Sequence, residues 1–369
     1  MADKLGIYIH IPFCRSKCDY CDFYSLAGRD DRMDQYQKAL LSHIKETAPL
    51  AQDFPVDTIY IGGGTPSYYG AKRLKELLGV IRNLYKVEKD AEVTVECNPD
   101  SVDVKSLKIL RKAGVNRLSM GMQSAIACEL ERIHRIHTPQ QVNEAATAAR
   151  KAGFTNLSLD LIYGLPGQTM DSWKATVEHA LSLIPQHLSC YGLKVEEGTP
   201  LAARVAQGEV LPDDDQQADL YLWTVGRLER AGYPQYEISN FAKPGYEGRH
   251  NLIYWDCGDY LGLGPAAHSC MGGRRFYYPP DTAAFLNDAA APVMDGSCGA
   301  EDYLILQLRL RKGLSLDAYK KLYGKKFSTA QLAFVQNCVR AGYASFDGRT
   351  LALTPAGLIV QNSILAQLL

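Results

Sequence analysis

The stretch Tyr8-Ile9-His10-Ile11-Pro12-Phe13-Cys14-Arg15-Ser16-Lys17-Cys18-Asp19-Tyr20-Cys21-Asp22-Phe23 places three thiols at 14, 18 and 21, just after a short apolar run and a proline. Proline ends regular pairing, so the cysteines are expected on a loop at the end of a strand. Soft thiolates grouped on one loop suit an iron–sulfur cluster, zinc or copper(I). A closed zinc site takes four ligands, and short zinc hooks favour a two-residue gap. Here the spacing is C-x3-C-x2-C, and no further cysteine follows before Cys97. Three cysteines on a cubane of four irons leave one iron without a protein ligand, open to a small molecule. The competing reading makes positions i, i+4 and i+7 one face of a helix, with cysteines as small core residues. Against it stand Pro12 and the polar Arg15, Ser16, Lys17 and Asp19 between the thiols.

Outward from this loop, short apolar runs alternate with helical periodicity as far as about residue 235. Strands are expected at 6–11, 58–61, 92–96, 117–120, 157–162 and 187–193. Helices are expected at 30–47, 70–85, 102–114, 138–153, 170–183 and 213–231. Leu74, Leu77, Leu78, Ile81 and Leu84 share one helix face. Thr138-Pro139 reads as an N-cap followed by proline at the first helical position, and Gly114 as a left-handed C-terminal cap. Six strand–helix units with short connections imply a parallel sheet with right-handed crossovers, either doubly wound or a barrel. The unusual residues gather at strand ends: the cysteine loop, Gly62-Gly63-Gly64, Glu96, Gln123 and Asp160. Barrel active sites collect at those ends.

The cysteine spacing, with Tyr20 before the last thiol, resembles the cluster loop of the radical S-adenosylmethionine (SAM) superfamily. That resemblance implies an incomplete (β/α)6, TIM-like barrel, a 4Fe–4S cluster on Cys14, Cys18 and Cys21, and SAM on the open iron. The order Tyr-Ile-His-Ile-Pro-Phe-Cys, Gly-Gly-Gly-Thr-Pro, Met-Gly-Met-Gln-Ser, Asp-Leu-Ile-Tyr-Gly-Leu-Pro-Gly-Gln-Thr is similar to the oxygen-independent coproporphyrinogen oxidase group, over nearly the whole chain. The likeness implies that Tyr8, Tyr20, Gly63, Gly64, Thr65, Pro66, Glu96, Gln123, Arg135 and Asp160 line the SAM site. Elementary chemistry leaves some of these roles open. Arg135 offers a fork suited to a carboxylate, but Glu96 reads equally as a solvated strand-end acid. Asp160, set in an apolar strand, needs a partner that a barrel neighbour can supply.

The group has two branches. Its oxidases typically carry a fourth cysteine two residues after the third and a long N-terminal extension. Here Phe23 stands in that position, and seven residues precede Tyr8. The other branch, heme chaperones, is marked by His-Asn-x-x-Tyr-Trp, and this chain has His250-Asn251-Leu252-Ile253-Tyr254-Trp255. The resemblance implies heme binding through His250, Asn251, Tyr254 and Trp255, with His268 the alternative iron ligand. Imidazole suits heme iron and flat rings suit the macrocycle; a hydrogen-bonded loop histidine beside core aromatics is the plain alternative. Acceptor apo-hemoproteins and an electron donor for the cluster are the implied partners. Coproporphyrinogen oxidase activity is not expected, SAM cleavage stays open, and no residue is singled out as catalytic.

Residues 1–235 are expected to form the barrel, 236–298 an aromatic, Gly-rich segment without a clear helix, and 299–369 a small helical, winged-helix-like domain. Its terminal hairpin turns at Asp347-Gly348. Forty basic against 41 acidic side chains give a net charge of −1, so a strongly basic nucleic-acid surface is not indicated. No run of about 18 apolar residues occurs and no signal peptide is read, so a cytoplasmic location is expected. The other seven of ten cysteines are scattered singly, unlike a disulfide framework. Association with a membrane surface and a homodimer both stay open.

Overall fold

The chain is described by a computed structural model covering residues 4–369. Six strands, β1 (Leu5–Ile11), β2 (Pro55–Gly63), β3 (Lys86–Cys97), β4 (Arg117–Gln123), β5 (Leu157–Tyr163) and β6 (His187–Gly192), lie parallel and side by side in chain order. Parallel neighbours require a crossover, and helices Met33–Thr47, Ala71–Leu84, Val104–Lys112, Pro139–Lys151 and Met170–Ser182 supply them. Thr138 and Gln141 close a capping box at the fourth crossover helix. Gly114, at φ 91°, follows the third, a conformation that costs glycine nothing. The sheet is open, as expected of an incomplete barrel.

The sheet register explains why the two faces differ. Ile9 pairs with Ile61, Ile61 with Val95, Val95 with Leu118 and Leu118 with Leu157. All five are buried, in the core shared with the crossover helices. One residue back, Tyr8 pairs with Tyr60, Tyr60 with Thr94 and Thr94 with Arg117, and these side chains take the opposite face. Enclosed parallel sheets are usually apolar on both faces. Here the inner face carries acids, phenols, histidines and an arginine.

Residues 236–298 contain more structure than the sequence pattern indicates. A helix spans Arg249–Trp255, and β7 (Asn240–Ala242), β8 (Asp259–Leu263), β9 (His268–Met271), β10 (Arg274–Tyr277) and β11 (Val293–Ser297) extend the sheet. The strand order is β11-β10-β9-β8-β1-β2-β3-β4-β5-β6-β7. β8 is parallel to β1, whereas β7 and β9 to β11 join antiparallel. The helix escapes sequence reading because it is only seven residues long. Its start is satisfied by a distant group: the Glu92 carboxylate accepts from the backbone N–H of Arg249 and His250 at 3.2 and 3.1 Å.

Helices Ala300–Gln307, Leu316–Tyr323 and Thr329–Arg340 follow. With them goes a three-stranded antiparallel sheet of β12 (Leu314–Ser315), β13 (Ala344–Phe346) and β14 (Thr350–Leu353). The hairpin turns where expected, with Asp347 Oδ1 accepting from the backbone N–H of Thr350 at 2.7 Å. This part docks on the rest through Arg311 N–H to the Tyr236 carbonyl and Gln307 Nε2 to the Trp255 carbonyl. Among the described residues no helix is long and apolar enough to cross a membrane.

Thr138→Ala removes one N-cap acceptor from an exposed helix start. It is expected to lower stability by about 1 kcal/mol in a urea titration, with an unchanged dependence on denaturant.

Candidate cofactor site

The cysteine loop begins where β1 ends. Phe13–Cys14 pairs in parallel with Leu26–Ala27, closing the loop at its base. Asp19, between two of the thiols, pins the middle. Its carboxylate accepts from Arg204 Nη1 at 2.5 Å, its N–H donates to the Ile133 carbonyl, and its own carbonyl accepts from Leu201 N–H. Two segments far from the loop in sequence, at Ile133 and in the helix Pro200–Ala206, thereby hold it.

Cys14, Cys18 and Cys21 all line one cavity of about 390 Å³ at the C-terminal ends of the strands. Tyr20, Gly63, Gly64 and Thr65 line it on the near side; Glu96, Gln123, Arg135 and Asp160 come from the strands and turn beyond. The sequence-expected Tyr8 and Pro66 are not in its wall. Tyr8 sits in the barrel interior with its hydroxyl 3.0 Å from His10 Nδ1, and Pro66 is buried at the start of the short helix Pro66–Tyr69.

The wall is built for anionic sulfur and a zwitterion. Thr65 Oγ1 donates to Cys14 Sγ at 3.5 Å, and Arg135 Nη1 donates to Cys18 Sγ at 3.4 Å. Arg135 Nη2 is oriented by Asn98 Oδ1 and the Gly121 carbonyl, both at 2.9 Å, while its buried Nε has no partner. Gln123 takes φ 62°, a backbone conformation unusual away from glycine, and its buried Oε1 is also unpaired. Backbone strain of this kind concentrates at ligand sites. Burial raises the Cys14 thiol and pushes Cys21 up to about 11. Without a metal these two hold their protons; ligation would release them.

Two acids lie deeper. Burial pushes Glu96 up to about 7, against the hydrogen bonds donated by the Tyr60 hydroxyl at 2.7 Å and Gly63 N–H at 3.2 Å. Asp160 is likewise raised by burial, and accepts from the hydroxyls of Ser189 at 2.7 Å and Ser119 at 3.0 Å. Each acid has protein partners and also a surface on the cavity; Glu96 is enclosed, unlike the solvated strand-end acid the sequence also allowed.

The donor set fits a cluster held by three thiolates. The sulfurs are spread round the cavity wall; among the described residues no three His, Cys, Asp or Glu side chains are close enough to share one metal ion. Gly64 is required for the approach, since a Cβ there would lie 3.0 Å from Cys14 Sγ and 2.8 Å from the Phe13 carbonyl. Sequence reasoning missed Asp19, Arg204, Tyr60 and Asn98. The period-two pattern puts Tyr60 on the inner face and was the one available signal; the others are placed by tertiary contacts alone.

The His250 motif lies at the opposite mouth of the barrel, where the strands begin. His250 is 1% exposed, and both ring nitrogens are engaged, Nδ1 with Thr58 Oγ1 and Nε2 with the Tyr254 hydroxyl, each at 2.7 Å. Burial pushes its imidazole down to about 3. Asn251 and Tyr254 are half-buried; Trp255 lies under the Arg309 guanidinium at 5.7 Å, with its indole N–H buried and unpaired. His268 is exposed on β9 and stacks on Tyr277 at 5.0 Å.

Comparison with known proteins places this architecture. The radical SAM superfamily description matches residues 8–180 and the HemN C-terminal domain description matches 300–360. The solved structure of coproporphyrinogen III oxidase (HemN) from Escherichia coli, a radical SAM enzyme, superposes with a TM-score of 0.86 at 25% identity, covering 100% of this chain and 90% of that one. The fold is thus a radical SAM barrel carrying a HemN-type C-terminal domain. Within that class, heme chaperone HemW of Mycobacterium tuberculosis is 37% identical over 382 residues, covering 100% of this chain and 95% of its own. Heme chaperone HemW of Bacillus subtilis is 35% identical, with 97% of each chain covered. The chain belongs to the heme chaperone HemW family.

A raised carboxyl makes a testable mark on stability. The native state binds the Glu96 proton up to about pH 7, whereas the unfolded chain releases it at ordinary carboxylate pH. Glu96 therefore costs the metal-free protein stability as pH rises through that window. Glu96→Gln is expected to raise the melting temperature at about pH 8 and to leave it nearly unchanged at about pH 4. An equal shift at both values would show that Glu96 ionises normally.

Proposed function

We propose that this protein is a heme chaperone that carries a SAM-ligated 4Fe–4S cluster in its barrel and passes heme to acceptor hemoproteins. The observation that carries the reading is the single cavity onto which three thiols, Arg135, Gln123, Glu96 and Asp160 all open, in a chain of this family. Cys14, Cys18 and Cys21 hold the cluster. When bound, it leaves one iron free for the amino and carboxylate groups of SAM and can supply an electron to cleave it, given a reductant protein. The chain's own residues do the rest. Arg135, directed by Asn98, offers its unpaired Nε–H to the SAM carboxylate beside Cys18. Gly63 and Gly64 let backbone approach closely, with Tyr20 and Thr65 beside them. Glu96, Gln123 and Asp160 take the amino group and the ribose hydroxyls. Tyr8 and Pro66 act one layer back.

The chaperone reading is preferred to porphyrinogen oxidation because Phe23 stands where oxidases of the group carry a fourth cysteine. Its ring is 65% exposed at the cavity rim. For heme, the segment His250, Asn251, Tyr254 and Trp255 and the neighbouring sheet edge supply imidazole and flat rings. His250 must give up one of its two ring hydrogen bonds before it can ligate iron. His268 has no ring hydrogen bond among the described residues and is the imidazole ready to bind.

Anaerobic reconstitution is expected to load about four irons and four sulfides per chain, as a cubane requires. Changing all three of Cys14, Cys18 and Cys21 to Ala abolishes loading, whereas Cys97→Ala or Cys190→Ala does not. A cluster that survives the triple change overturns the assignment.

Heme titration of wild type, His268→Ala and His250→Ala identifies the iron ligand. His268→Ala is expected to shift the absorption bands and weaken binding, because an axial imidazole sets the ligand field. Bands that move only in His250→Ala return that role to the motif. Anaerobic incubation with coproporphyrinogen, SAM and a reductant is expected to yield no protoporphyrinogen; turnover at enzymatic rates would establish the oxidase instead.

A further inference from the structure

Three aromatic rings run through the barrel interior and join its two mouths. The His250 imidazole stacks on the Tyr60 ring with centroids 5.2 Å apart and planes 24° from parallel. Tyr60 stacks in turn on Tyr8 at 6.3 Å, again at 24°. From this column one hydrogen-bonded arm reaches the cavity and a second reaches the thiol loop. In the first, the Tyr60 hydroxyl donates to Glu96 Oε1 at 2.7 Å. In the second, the Tyr8 hydroxyl meets His10 Nδ1, and His10 Nε2 lies 2.8 Å from the Tyr24 carbonyl, three residues past Cys21 on the thiol loop.

The column has no slack. A Cβ on Gly62 would lie 2.9 Å from both Glu96 Oε1 and Tyr60 Cε1. At the lower end a Cβ on Gly6 would lie 3.0 Å from Ile253 Cδ1 and 3.2 Å from His250 Cε1. His250 itself is clamped by Thr58, Tyr254 and the Glu92 carboxylate. Close-packed interiors transmit displacement rather than absorb it. A ring that leaves its place beneath Tyr60 therefore changes where the Tyr60 hydroxyl points.

We propose that Tyr60 is a positioning residue that couples the seat of the His250 helix to Glu96, so that SAM affinity in the cavity depends on how the motif at the far mouth is packed. This rests on the reading of the cavity as the SAM site. Through Tyr60, a motif disturbed by cargo or by a docking protein changes the hold on SAM without touching it. Coupling of this kind is reciprocal, so SAM in the cavity favours one seating of the motif helix.

A double-mutant cycle tests this, because coupling needs more than proximity. Tyr60→Phe keeps the stack and removes the hydroxyl that Glu96 accepts from; His250→Ala removes the ring beneath. The readout is the SAM concentration that half-completes the change in the paramagnetic resonance spectrum of the reduced cluster, with iron content as the check on folding. Each single variant is expected to raise that concentration about tenfold at normal iron content. The double variant is expected to be no worse than Tyr60→Phe alone. If His250→Ala fails to load iron, Tyr254→Phe takes its place, since loss of the hydroxyl that fixes Nε2 frees the imidazole to tilt; about threefold is then expected. A wild-type spectrum indifferent to SAM would fell the reading of the cavity itself. Normal wild-type response with unchanged affinity in the variants, or with additive losses, would overturn only the coupling.

Discussion

Burying polar groups on the inner face of a parallel sheet is the constraint from which the rest of this protein follows. Glu96, Asp160, Arg117 and His187 lie on the inner face of the strands, and His250 enters the same buried interior from the motif helix. An unpaired charge there costs several kcal/mol, so each must be answered by a partner or by a proton. Arg117 Nε is buried without a hydrogen-bond partner, and the other four groups are answered. Three serines donate toward Asp160, the Tyr60 hydroxyl donates to Glu96, and His187 is bonded through both nitrogens, to Ser158 and Tyr236. The histidines are held neutral by the same burial that raises the acids. A lumen lined with phenols and neutral imidazoles offers donors to a ligand at little electrostatic cost.

The upper end of this lumen is finished incompletely. Gln123 Oε1 and Arg135 Nε keep capacity that the protein does not use. Buried polar groups in native proteins are usually satisfied, so these two atoms are open to a ligand in the cavity. The loop that brings the thiols there is held by Asp19, whose partners come from the turn after a short helix and from the helix Pro200–Ala206 that follows β6. The placement of the thiols thus depends on residues outside the cavity wall.

The lower end is finished by the motif helix. Its imidazole is enclosed and doubly bonded, its indole faces the C-terminal domain, and its start is capped by an acid of β3. These are the marks of a structural plug that also contacts the working interior through the ring stack.

Much of this was written in the sequence. The 14, 18, 21 spacing after Pro12 required a thiol loop at a strand end, and strand–helix alternation required a parallel sheet, because both are set by local stereochemistry and period. The caps at Thr138 and Gly114 and the turn at Asp347 were legible for the same reason. The helix Arg249–Trp255 was not: seven residues give too little period to read, and the group that caps it lies on another strand. Nor could the sequence tell that Asp160 is shared by three serines, that Asp19 anchors the loop, or that His250 faces Tyr60 rather than solvent. Those facts depend on register between strands far apart in the chain, and register is fixed only when the apolar rows of Ile9, Ile61, Val95, Leu118 and Leu157 are packed together beneath the helices.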